Sequence, residues 1–121
     1  MHSAAQAYNE TAKITLSPRE LEAHLLLKAA AKFQAIKDDW VRADGELADA
    51  LLYNRKLWTV FVGSVTEEGN PLPVSIRENI ANLGIFIFKR TMELEAEPAP
   101  EKLSALIDIN RNVAAGLRGQ D

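Results

Sequence analysis

The chain has 121 residues, of which 47% are hydrophobic and 26% are charged. Such a chain can bury the core of one domain, and its composition excludes an intrinsically disordered protein. No apolar run approaches the roughly 18 residues of a membrane span, so we expect no contact with a membrane. The chain lacks cysteine, which excludes disulfides and thiolate metal sites and favours a cytoplasmic location.

The N-terminal segment, residues 1–16, shows weak periodicity and is predicted to be a loose arm or a short helix. A single helical domain is predicted to follow, over residues 17–119. Its first helix should begin at SPRE, residues 17–20, where the serine caps the helix, the proline suits its first position and the glutamate completes a capping box. Apolar residues at helical spacing continue this helix to about residues 38–41. Asp44 is the expected cap of the next helix.

The second helix is predicted over about residues 46–65. The sequence NPLP, residues 70–73, should then form a short extended connector, because a residue that precedes proline avoids the helical region. The third helix is predicted to begin at the last proline of this connector or at Ser75, where Ser75 and Glu78 form a second capping box, and to reach about Glu95.

A fourth helix is predicted after Pro98 and Pro100, and the glycines at 116 and 119 should end it. No segment shows sustained period-two alternation, which a half-buried strand requires. The predicted fold is therefore all-α, a compact antiparallel bundle of about four helices with a loose N-terminal arm.

The third helix is apolar on two sides, although an ordinary surface helix has only one apolar stripe. In one interpretation the helix lies at the centre of the bundle and both stripes are core. In the other, the second stripe stays partly open as a groove for the amphipathic helix of a partner. The first stripe consists of Ile76, Ile80, Leu83, Ile87 and Leu94, and the second stripe of Ala81, Ile85, Phe88 and Met92.

Two asparagines interrupt apolar stripes, Asn54 on the second helix and Asn110 on the fourth. An unpaired amide in a core costs roughly 1 to 3 kcal/mol, so each amide should have a partner. They are expected to bind each other or the backbone of the connector, and so to fix the register of the helices. Direct contact with a ligand is the alternative.

No motif of a known catalytic, nucleotide or metal site occurs, so we expect a protein that is not an enzyme and needs no cofactor, metal or small-molecule substrate. The acidic stretch at 38–49 has Trp40 and Arg42 at two ligand positions of a calcium loop, which excludes that site. The 14 basic residues are scattered among 17 acidic ones, and the net charge is −3. Direct binding of nucleic acid is therefore not expected.

Five segments of the chain match the pattern of a known family. In chain order, the segments are SPRELEA at 17–23, RKLWT at 55–59, NPLP at 70–73, IRENIANLGIF at 76–86 and LIDINRNVAAGL at 106–117. Together they resemble the FlaF family of flagellar biosynthesis proteins. One departure is Phe86, where many relatives are expected to have tryptophan, and it affects only local packing.

The resemblance implies a cytosolic flagellin-binding secretion chaperone that positively regulates flagellin production and flagellum assembly, opposite the translational repressor FlbT. Flagellin ends in amphipathic helices, and a helical protein with surplus apolar surface could cover them before export. One alternative is a regulator that acts on flagellin messenger RNA, directly or through FlbT. Another is an adaptor whose apolar stripes bind a second copy of the chain.

Two groups of residues are predicted to form the partner-binding site. Ile85, Phe88 and Met92 are predicted to form its apolar surface. For Trp58 the alternative is a role as a core anchor, and for Pro71 and Pro73 it is a role in loop geometry alone. The residues predicted to shape the site are Trp58, Asn70, Pro71, Leu72 and Pro73.

Overall fold

The structure is a computed structural model that describes residues 17–43 and 45–119, so the predicted N-terminal arm lies outside the described residues. Four α-helices and two short 3₁₀ turns make up this part of the chain, and it contains no strand, which confirms the predicted all-α bundle. The helices are α1 (Pro18–Asp38), α2 (Glu46–Thr66), α3 (Val74–Ala96) and α4 (Leu103–Leu117), and the 3₁₀ turns are Trp40–Arg42 and Pro100–Lys102.

The start of α1 is set by its cap, as predicted. Pro18 occupies the first turn, and the Ser17 hydroxyl accepts a hydrogen bond from the Glu20 backbone N–H at 3.2 Å. This bond satisfies one of the amide groups that a helix leaves unpaired at its N-terminus. The local sequence therefore decides where α1 begins.

Two other predicted caps are wrong. The N-cap of α2 is Gly45, whose φ of 83° lies in the left-handed region that favours glycine, while Asp44 itself is outside the described residues. The N-cap of α3 is Pro73, and no side chain caps this end. Because the helix has already begun at Val74, Ser75 lies inside its first turn and cannot form the predicted capping box with Glu78.

The cap at Ser17 leads to a stability prediction. Ser17→Ala should lower the free energy of unfolding by about 1 kcal/mol, because the Glu20 N–H loses its acceptor. Ser75→Ala is the matched control and should change it by less than about 0.5 kcal/mol, since this serine is exposed and caps nothing. Urea unfolding of both variants measures the difference, and equal effects would contradict the role of Ser17.

The helices pack as two close pairs. The most extensive contact joins α1 to α4, the next joins α2 to α3, and α1 also packs on α2, whereas α3 and α4 touch at few points. The largest side chains of the core, Phe33 of α1 and Trp58 of α2, are completely buried, and Ile87 of α3 and Leu106 of α4 lie with them. The pairing leaves an opening between α3 and α4.

The closest approach of α2 and α3 is at Gly84. A β-carbon built there would collide with the Val62 side chain and would lie 3.7 Å from Cε3 of Trp58. Only glycine therefore fits this position without a shift of the Val62 side chain or of one helix, and Gly84 permits the close approach of the pair.

Candidate partner-binding surfaces

A buried polar cluster joins three helices. Asn110 Nδ2 of α4 donates to Asn54 Oδ1 of α2 at 2.8 Å and more weakly to the Leu26 carbonyl of α1 at 3.4 Å. Trp58 Nε1 donates to Asn110 Oδ1 at 2.9 Å. Both asparagines and the tryptophan are completely buried. Of the partners predicted for the two amides, the structure shows the first, because the amides bind each other. They fix the register of α2 against α4.

Trp58 occupies the core, as the alternative interpretation of this residue states. Its indole N–H is held by Asn110, and its ring meets Phe61 edge-on with the ring centroids 5.5 Å apart. Because none of its side chain is exposed, Trp58 can shape a surface only through the residues that pack on it. That indirect role stays a prediction.

The connector between α2 and α3 is fixed by Asn70. Its Nδ2 donates to the Ser64 carbonyl at 3.0 Å, and its Oδ1 accepts from the Leu72 backbone N–H at 2.9 Å. These bonds tie the connector to the end of α2 and form an Asx-type turn. Pro71 and Pro73 are exposed, while Leu72 is half-buried and packs against the core.

The second stripe of α3 is partly open. Ile85 and Met92 are 66% and 63% exposed, whereas Ala81 and Phe88 are half-buried and Phe88 packs against the core. The interpretation that both stripes are core is therefore wrong for Ile85 and Met92. None of its members lines any of the five cavities found among the described residues.

A groove does exist, but it lies between α3 and α4. This α3–α4 groove has a volume of about 430 Å³, and Arg19, Asn79 and Asn112 form its polar part. Ile76, assigned by its spacing to the first stripe and hence to the core, is 43% exposed there. The apolar lining consists of Leu72, Pro73, Ile76, Ile80, Leu83, Val113 and Leu117.

The α3–α4 groove was not predicted from the sequence, because the spacing of the first stripe does not show which of its residues another helix covers. The sequence signal that could have indicated the groove is Gly116 of α4, which lines it. A β-carbon built at this glycine would meet nothing within 4 Å. A glycine beside the apolar face of α4 removes the side chain that could fill the space opposite Ile76. The groove is therefore formed by residues that the spacing placed in the core.

A second cavity, the connector hollow, adjoins the groove. It has a volume of about 430 Å³, and Ser17, Asn70 and Pro71 are among its lining residues. Arg19 and Leu72 line both cavities. Glu22 also lines the hollow, and partial burial raises the pKa of its carboxyl group, an effect that the nearby Arg19 guanidinium opposes.

The eight predicted site residues do not form one site. Trp58 is inside the core, Asn70 to Leu72 line the connector hollow, and Leu72 and Pro73 line the groove. At about 100° per residue, Ile85 lies about 180° around α3 from Ile76. The second stripe and the α3–α4 groove are thus on opposite sides of the same helix.

Comparison with known families identifies the family of this chain. The model of the family described as flagellar protein FlaF matches residues 4–117. The chain belongs to the FlaF family. No curated protein and no solved structure matches it. Membership of the FlaF family gives the protein a role connected with the flagellum.

Two kinds of feature are absent from the described residues of this FlaF protein. Nowhere in 17–43 and 45–119 is a helix both long and apolar enough to cross a membrane. Nor do three or more acidic or histidine side chains gather there in an arrangement that could hold a metal ion.

Proposed function

We propose that this FlaF protein binds flagellin as a cytoplasmic secretion chaperone and thereby promotes flagellin production and flagellum assembly. It acts by binding, without catalysis. Family membership supports the connection with the flagellum. The observation that carries the binding function is the second stripe, with Ile85 and Met92 more than half exposed on a rigid helix.

The spacing of the second stripe suits a partner helix. Its four residues follow each other at intervals of four, three and four, which is the spacing of the a and d positions of a heptad over two repeats. A partner helix with the same spacing could pack its apolar side chains between them. The terminal helices of flagellin, which the family resemblance implies as clients, are amphipathic and need such a cover before export.

The flanks of the stripe indicate how the partner would lie. With Ile85 and Met92 at a positions, Gly84 and Thr91 fall at g positions on the side of α2, and both are buried. Asn82 and Lys89 fall at e positions, and both are exposed. A partner helix therefore has open space on the Lys89 side, where an acidic residue of the partner would complement the ammonium group.

A double substitution tests the proposed surface. Ile85→Asp combined with Met92→Asp should weaken flagellin binding by roughly 100-fold or more, because two apolar side chains, each worth about 1.5 to 3 kcal/mol when buried, are replaced by carboxylates. Co-purification and calorimetry with flagellin measure the loss. The fold should survive, since neither side chain is buried.

Val60→Asp is the matched control, because Val60 is 73% exposed on α2 and lies outside the second stripe. It should leave binding unchanged. Unchanged binding in the double variant, or an equal loss in Val60→Asp, would contradict the assignment of this surface. Salt titration separates flagellin from messenger RNA as the partner, since binding to phosphates weakens steeply between 50 and about 200 mM salt and apolar packing does not.

A further inference from the structure

The start of the described chain lies at the edge of two adjoining cavities. Ser17 and Pro18 line the connector hollow, and Arg19 lines both the hollow and the α3–α4 groove. Leu72 is the other residue that the two cavities share. Residues 1–16 therefore precede a residue that lines the depression formed by these two adjoining cavities.

The groove is lined mostly by apolar residues and the hollow by apolar and polar residues in equal number, and together they have room for several side chains. Each of the two cavities has a volume of about 430 Å³. Within the groove, Leu83 and Val113 are half-buried and Ile76 is exposed, so a segment placed there would cover apolar surface that the bundle leaves open. Covering such surface contributes about 25 cal/mol per Å².

The sequence before Ser17 has the composition and length of a suitable occupant. Apolar residues recur at every fourth position, at Ala4, Tyr8, Ala12 and Leu16, and six of the nine residues between them are polar. Residues four apart share one side of a helix. Sixteen residues span about 24 Å as a helix and about 50 Å when extended, whereas the α3 residues of the groove, 76–83, span only about 10 Å.

We propose that residues 1–16 dock into the connector hollow and the α3–α4 groove of their own chain. The occupant is intramolecular because its attachment point is at the depression, which gives it an effective concentration in the millimolar range. The second stripe lies on the opposite side of α3, so this docking is independent of the proposed binding of flagellin. A segment of another protein must displace residues 1–16 to enter the groove.

Paramagnetic labelling tests this proposal on the full chain, because the protein has no cysteine and a single introduced one carries the label. Asn112 is exposed and lines the groove, so a nitroxide on Asn112→Cys should strongly reduce the amide NMR signals of residues 4–16. The control label on Val41→Cys should leave those signals unchanged. Val41 follows the far end of α1, a helix of 21 residues and thus about 30 Å long.

Substitutions in the segment itself complete the test. In the chain labelled at Asn112→Cys, Tyr8→Ser combined with Leu16→Ser should restore the signals of residues 4–16, because the segment then lacks the two large apolar side chains that would cover the groove. Signals that keep full intensity in the parent labelled chain would overturn the proposal, as would signals that stay reduced in the substituted chain. Signal loss seen only between a labelled and an unlabelled molecule would identify a second copy as the occupant and would equally overturn it.

Discussion

Asn110→Leu is expected to lower the free energy of unfolding by about 3 kcal/mol, although leucine is larger in apolar area and nearly the same in shape. The substitution removes the acceptor of Trp58 Nε1 and the donor to Asn54 Oδ1, and both groups remain buried. Each unsatisfied buried group costs about 1 to 3 kcal/mol, which exceeds the gain from the apolar side chain. Urea unfolding followed by circular dichroism measures the change.

Asn54→Leu tests whether the buried polar groups stabilise the fold as a hydrogen-bonded network or whether the loss of either buried amide costs the same free energy of unfolding. Asn54 accepts one hydrogen bond, from Asn110, and its own Nδ2 has no partner among the described residues. Its replacement leaves the bond between Trp58 and Asn110 in place, so it should cost less than Asn110→Leu. The double variant should cost less than the sum of the two single ones, because they share one bond.

The control for this series is Asn82→Leu, the same change at an exposed position of α3. It should alter the free energy of unfolding by less than about 0.5 kcal/mol. If Asn110→Leu proved as stable as the parent chain, the polar cluster would contribute nothing to stability, and its role in helix register would need separate support.

Gly84→Ala is expected to lower the free energy of unfolding by about 1 to 3 kcal/mol, because the new methyl group collides with the Val62 side chain, so that this side chain or one of the two helices must shift. The sign is informative, since alanine is the better helix former by about 1 kcal/mol. Combining it with Val62→Ala removes the atom that causes the collision. In the double variant, Gly84→Ala should therefore cost much less than it does alone.

Gly63→Ala is the matched control on the facing helix. A β-carbon there meets nothing within 4 Å, and its φ is not positive, so this variant should gain up to about 1 kcal/mol. Thermal unfolding of the two alanine variants should shift in opposite directions. A gain for Gly84→Ala as well would show that the spacing between α2 and α3 adjusts freely.

The parts of the fold that could be predicted from the sequence depend on local signals. Ser17 and Pro18 define the start of α1, and the prolines at 71, 73, 98 and 100 separate the last three helices. The failures at Asp44 and Ser75 are also local. In each case the N-cap is instead a neighbouring residue with its own backbone preference, Gly45 or Pro73.

The parts that could not be predicted depend on which helices pair. Ile76 and Ile80 belong to the same apolar stripe, yet Ile76 is 43% exposed and Ile80 is 3% exposed. Their difference follows from the closer packing of α4 on α1 than on α3, which no spacing within α3 reveals. The pairing of Asn54 with Asn110 was one of the predicted alternatives, but the participation of Trp58 was not.

The pairing of α1 with α4 also has a consequence for biosynthesis. Contacts between them bridge most of the sequence, as Lys37 Nζ donates to Ser104 Oγ across 67 positions and Asn110 reaches Leu26 across 84. On the ribosome α1 emerges first, and its partner is translated last, whereas α2 and α3 can associate in between. The face of α1 that packs on α4 thus stays uncovered until the 15-residue helix α4 leaves the exit tunnel. A nonsense codon shortly before Leu103 should yield a product that cellular proteases degrade.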